Sequence, residues 1–299
     1  MKKLGILFFI FLFGITGCMK YTELNHLSIV NTIGIEKENN LYKVTIAVVD
    51  PNNYENEDHY EKNIYEAMGD NLTVAFNHLY LYLDKEIYIE HLETLILSNT
   101  LNHKDIDNIN VYFNNKNNNR NSFTVVYTNS KIKDIVSSTT NINRLIQTNS
   151  ENISLVHPLT YENYLKVLYE KKYSFIPTIR WENNELAVVG YSYFYNNKPI
   201  NLLTQEENIS YNILNNDIDN LNLSIENKYY SISSLDTTLT YNNDKTDITI
   251  TSLIYSEEKE YIKKYNKYIK NIITHFIEKY SYFDEYTIKT YTKGETNEK

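Results

Sequence analysis

The sequence predicts an α+β protein of more than one domain, with mixed and antiparallel sheets and packed helices. Three observations point that way. Short β-branched and aromatic stretches recur along the chain, and one alternates strictly, with Tyr42, Val44, Ile46 and Val48 on one face and Lys43 and Thr45 on the other. Two stretches, Leu72–Leu83 and Tyr261–Phe276, carry apolar residues at helical spacing. Strands and helices also do not alternate regularly, as a parallel α/β sheet would require.

The chain opens with Lys2 and Lys3, an apolar run from Leu4 to Ile15, and then Thr16-Gly17-Cys18. A basic start, an apolar stretch and small residues before a cut site make a secretory leader, residues 1–17. The run is a dozen residues, whereas about 20 are needed to span a bilayer. Small residues just before a cysteine match a bacterial lipobox. There the thiol takes a diacylglyceryl group and becomes the mature N-terminus, so Cys18 is the expected lipid attachment site. It is the chain's single cysteine, so the exported body has no disulfide and must be held by its core.

A short tether, Met19–Thr22, leads to Glu23-Leu24-Asn25 and a strand at Ser28–Glu36. Glu38-Asn39-Asn40 is a turn into the strand Leu41–Asp50, and the acidic stretch Asn52–Lys62 reads as a loop. Asp70 caps the helix of Leu72, Ala75, Phe76 and Leu79. Strands follow at Glu93–Ser98 and Ser122–Thr128, divided by an Asn-rich loop at 114–121. Ser130 caps a short helix over Lys131–Val136, and the polar stretch to Ser154 is expected to be mobile. After a helix at Tyr161–Tyr169, Ile176–Trp181 is extended, and Glu182–Glu185 reads as a domain boundary. The expected division is 18–184 (one region or two subdomains), 185–293, and a tail at 294–299. In the C-terminal part, strands at Leu186–Tyr195 and Lys198–Leu203 flank an Asn196-Asn197 turn. Thr204 caps a helix over Gln205–Leu214, with Glu206 and Glu207 in its first turn, where the helix dipole favours them. Three strands within 221–255, a helix over Glu257–Tyr280 and a strand at Tyr286–Tyr291 complete the chain.

A net charge of −9 argues against nucleic acid and anionic headgroups as partners. The 29 tyrosines and abundant asparagines are attributed to an AT-rich coding sequence rather than to a sugar-stacking surface. After Cys18 the glycines are Gly34, Gly69, Gly190 and Gly294, and none belongs to a phosphate loop, dinucleotide fingerprint or nucleophile elbow. The seven histidines show no metal-binding spacing. His91 with Glu93 is the nearest pair, read as structural. Glu23 and Glu36 are read as cap and turn residues rather than an acid pair, and Trp181 as a packing residue. No enzyme activity, metal or cofactor is expected.

Taken in order, several blocks resemble the Ger(x)C family, the lipoprotein C subunits of spore germinant receptors. They are Cys18, Glu23-Leu24-Asn25, Ile29-Val30 and Ile33-Gly34-Ile35-Glu36, then Gly69-Asp70-Asn71-Leu72, Tyr88-Ile89-Glu90-His91 and Leu95-Ile96-Leu97. Near the middle come Ile176-Pro177, then Gly190 to Phe194, Lys198 and Leu202-Leu203-Thr204 with Glu207. The chain departs from the family at Met19-Lys20, where members have Trp-Asp, at Glu36 for Asp, and in the Tyr280–Asp284 ending. The resemblance implies a non-enzymatic subunit anchored on the outer face of the spore inner membrane. It implies integral-membrane A and B subunits as partners and a role in nutrient-triggered germination. Two other classes are the alternatives. A solute-binding lipoprotein of a transporter would show a two-lobed alternation of strands and helices, and a structural surface lipoprotein would show repeats. Neither pattern is present.

Overall fold

The structure, a computed structural model, describes residues 26–49, 62–115, 121–171, 173–218, 221–242, 245–256 and 258–294. The leader, Cys18, Glu23, Leu24 and Asn25 lie outside the described residues, as do residues 52–61 of the expected loop and the tail beyond Gly294.

A nine-stranded mixed sheet forms the larger part. β1 (Leu27–Glu38), β2 (Leu41–Val49) and β3 (Lys62–Gly69) form an antiparallel meander at one edge. β5 (Thr94–Ser98) and β6 (Thr124–Thr128) continue from β1 in parallel, and β4 (Glu86–Tyr88) pairs beside the start of β1. β7 (Tyr173–Glu182), β8 (Glu185–Tyr195) and β9 (Lys198–Leu202) close the other edge as a second meander. A smaller sheet holds β10 (Leu221–Ile225), β11 (Lys228–Asn242), β12 (Lys245–Ile254) and β13 (Glu285–Gly294). Its last two strands are parallel, joined through the long helix α7 (Lys259–Tyr280). The architecture is α+β.

The large sheet is buried on both faces, and side-chain alternation sorts its residues between two cores. Leu95, Leu97, Val125 and the expected face Tyr42, Val44, Ile46 and Val48 join one core. It is covered by α1 (Leu72–Leu79), α2 (His103–Asn115) and α5 (Tyr161–Lys171). Ile96 and Val126 join the other, with α3 (Ile132–Val136), α4 (Ile142–Ile153), α6 (Gln205–Leu214), the small sheet and α7. On α7 the expected stripe is buried at Tyr265, Ile269, Ile272, Ile273 and Phe276, and Tyr261 and Tyr268 lie at its margin. Among the described residues no helix is long and apolar enough to cross a membrane.

Four hairpins turn on two residues with positive φ: Asn39-Asn40, Asn183-Asn184, Asn196-Asn197 and Glu226-Asn227. Two left-handed central residues define the type I′ turn that matches strand twist, and asparagine tolerates them better than other non-glycine residues. The division expected at residues 184 and 185 is set against one of these turns. It falls on the turn between β7 and β8, which pair from Tyr173↔Tyr195 to Glu182↔Glu185 inside one sheet. The change of sheet comes after α6, at Leu221.

Other differences have local causes. The polar stretch expected to be mobile is helix α4, which buries only Ile142 and Ile146, too sparse a stripe to stand out in sequence. Asn71, not Asp70, caps α1 by accepting the Val74 N–H, and Lys131, without a side-chain cap, precedes α3. The strand β3 and the helix α2 were not expected.

Candidate functional site at the junction of the two sheets

Most of the C-terminal motif residues converge where β7 and β8 meet α6. Leu203 is buried and leads into the Thr204 cap. Thr204 Oγ1 accepts the Glu207 N–H at 3.3 Å, and Glu207 Oε2 accepts the Thr204 N–H at 2.7 Å, a reciprocal capping box. The other Glu207 oxygen accepts from Lys279 Nζ on α7, locking the two helices together. Burial pushes the Glu207 carboxyl up, but the bonds from Lys279 and the Thr204 N–H outweigh it and hold the group below its ordinary range.

Asn208, one residue on, sits between helix and strand. Its Oδ1 accepts the Tyr191 N–H at 2.9 Å, and its Nδ2 donates to the Thr204 carbonyl at 2.9 Å. Gly190 makes room for it. A Cβ there would lie 2.6 Å from Asn208 Nδ2, and φ is +125°, so glycine is needed twice over. Pro177 lies opposite Tyr191 in the ladder. The Tyr191 carbonyl already accepts the Leu203 N–H, so a proline with no N–H to give leaves nothing unpaired there. Phe194 is buried edge-on to Tyr127, with ring centroids 5.0 Å apart. Lys198 stays exposed at the start of the edge strand β9.

Beside this junction opens a cleft of about 530 Å³. Phe175, Tyr191 and Tyr211 form its aromatic side, and His157, Lys171 and Asp217 are among its polar residues. Tyr211 lies 4.4 Å from Phe175 and 4.8 Å from Tyr191, centroid to centroid. Burial pushes the Asp217 carboxyl up against the pull of His157, and burial lowers the Lys171 ammonium, which lies 5.0 Å from the Tyr282 ring centroid. Ser150 Oγ is 2.8 Å from His157 Nδ1. The same oxygen is 3.3 Å from His157 Nε2. The His157 N–H donates to Tyr191 Oη at 2.7 Å, tying the loop after α4 to β8. No described group of three or more His, Cys, Asp or Glu side chains could hold a metal ion.

The N-terminal motif residues lie elsewhere, at the β1–β3 edge. Gly34 faces α3, and a Cβ there would lie 2.2 Å from Ile132 Cγ2. Gly69 abuts the first turn of α1, where a Cβ would lie 2.4 Å from the Ala75 nitrogen. Ile35 is fully buried, and Glu36 faces Lys43 at 3.4 Å, which also meets Glu66 at 3.3 Å. His91 is exposed, with its ring against Tyr88 at 5.6 Å. So the structure forms two groups of motif residues rather than one. Sequence reading missed Asn208, Lys279, His157, Tyr211 and Asp217. Only Asn208 carried a signal, being a polar residue four positions after the Thr204 cap and beside the apolar Ile209.

What these positions share is packing: caps, close approaches and a proline matched to its ladder. Residues 20–180 match a family model described as "Spore germination protein N-terminal domain", and the chain belongs to that family. Among solved structures, the "Crystal Structure of the GerBC protein" shares the fold. It has a TM-score of 0.51 and 13% identity over 89% of this chain and 96% of that one. Comparison with curated proteins finds no match. The chain is a spore germination protein of the GerC type.

Proposed function

We propose that this protein is the lipid-anchored, non-enzymatic subunit of a spore germinant receptor, acting in nutrient-triggered germination. The observation that carries the reading is the family match over residues 20–180, more than half of the chain. The Cys18 lipobox supports it, because an anchor there would hold the body on the outer face of the spore inner membrane. Two acyl chains bind a membrane far more firmly than one. Confinement to that surface raises the effective concentration of the body near membrane partners. The expected partners are the integral-membrane A and B subunits. Candidate contact surfaces are the first hairpin and the strand and turn from Tyr191 to Asn197, where Tyr195 is exposed.

Deleting the gene is expected to slow germination in nutrients without stopping sporulation, and the protein is expected to co-purify with two membrane subunits from spore membranes. Normal germination in the deletion strain, with no membrane subunit recovered, would leave a solute-binding lipoprotein of a transporter as the better reading.

A further inference from the structure

The turn after α1 holds three consecutive large side chains in solvent. Tyr80 is 48% exposed, Leu81 75% and Tyr82 63%. They are presented by ordered backbone: the N–H groups of Tyr80, Leu81 and Tyr82 donate to the carbonyls of Asn77, His78 and Leu79. Leu79 before them is fully buried, and Leu83 after them packs on the core, so the turn is pinned at both ends.

Its place in the fold matters as much as its chemistry. β4 pairs in parallel with β1, with Glu86 beside Leu27. Neighbouring strands lie about 4.8 Å apart, so Glu86 marks the point where the chain enters the body. Tyr82 precedes Glu86 by four residues, a reach of at most about 14 Å. From the entry point at His26, Cys18 is eight residues away, at most about 29 Å of extended chain. The exposed turn and the expected lipid are thus both tethered within about 14 Å and about 29 Å, respectively, of the point where the chain enters the body.

We propose that Tyr80, Leu81 and Tyr82 form a membrane-contacting knuckle that seats the body on the lipid surface beside its anchor. The proposal rests on the reading of Cys18 as lipidated. Tyrosine rings suit the headgroup level of a bilayer, and an intervening leucine suits the acyl boundary below it. Three residues on a convex turn cover far less than the 1,000 Å² or so expected of a stable protein interface, yet they fit a deformable lipid layer. The following residues Asp84, Lys85 and Glu86 are exposed and net acidic, so the contact is apolar insertion rather than attraction to anionic lipid.

The test uses the full protein as purified from membranes of the cells that express it, mixed with phosphatidylcholine vesicles and carrying Leu81→Trp in a Trp181→Phe background. Lipids brominated in the acyl chains are expected to remove most of the indole emission, which is blue-shifted before quenching. Ile200→Trp in the same background, on the exposed edge strand β9, is expected to be unaffected. If the chain floats with the vesicles but the Leu81→Trp indole is reached by aqueous iodide and not by brominated lipid, the knuckle is overturned and the anchor stands. If that indole is shielded from both quenchers, a protein surface covers the turn, and the proposal is again overturned. If the chain does not float with vesicles at all, the anchor reading fails and takes the knuckle with it.

Discussion

Gly34 and Gly190 are both required by a neighbour, but by neighbours of different kinds. At the β1–β3 edge, Gly34 is crowded by the aliphatic Ile132 of α3, and its own backbone is ordinary. At the sheet junction, Gly190 combines positive φ with a polar side chain, Asn208, whose hydrogen bonds hold strand and helix together. The Gly34 contact is fixed by shape alone. The Gly190 contact is fixed by shape, backbone conformation and hydrogen bonding, and aromatic rings fill what lies around it. Removing mass from the partner should therefore repair the first and not the second.

The largest effect is expected in the aromatic junction. Phe276 is fully buried against Phe175, Tyr211, Tyr280 and Tyr282. Phe276→Ala should cost about 3–5 kcal/mol of unfolding free energy in urea titrations. A cost below about 1 kcal/mol would mean that the junction is not packed as described.

Gly190→Ala should come next, at about 2–4 kcal/mol, from overpacking and a strained φ together. Adding Asn208→Ala should not restore stability, because the positive φ remains. Gly34→Ala should cost less, about 1–3 kcal/mol, and Ile132→Ala in the same chain should cost less than it does alone. Equal behaviour of the two double variants would erase the distinction between the regions.

Glu207→Gln is the smaller and more diagnostic change, at about 1–2 kcal/mol at neutral pH, discounted because Lys279 is partly exposed. The folded-state pKa of Glu207 is lowered, so its contribution is present above the ordinary glutamate value of about 4.3. It disappears as pH falls through that value and below. Urea titrations of wild type and variant from pH 7 to pH 3 should converge at the acid end. A constant difference across that range would show that the carboxylate is not what stabilises the cap.

Sequence showed the fold class, both amphipathic helices and the alternation of the second strand, because those patterns repeat over many residues. Thr204 and Glu207 were visible as a cap because cap chemistry is local. The Asn183-Asn184 turn reads as a linker in sequence because two asparagines among many look like composition, and only their left-handed backbone distinguishes a hairpin. Helix α2 was passed over because its buried Ile106, Ile109 and Phe113 sit among charged and amide side chains. Asn208 and Lys279 act across contacts between elements, 17 residues from Tyr191 and 72 from Glu207 respectively, and no local pattern reports those distances.

The claim on which the function rests is that the body is held at a membrane through Cys18, and the mature N-terminus tests it directly. Mass spectrometry of the N-terminal peptide from purified membranes should find a chain that begins at Cys18 and carries a diacylglyceryl group on its sulfur. A chain that retains residues 1–17, or one cut elsewhere with a free Cys18 thiol, would contradict it.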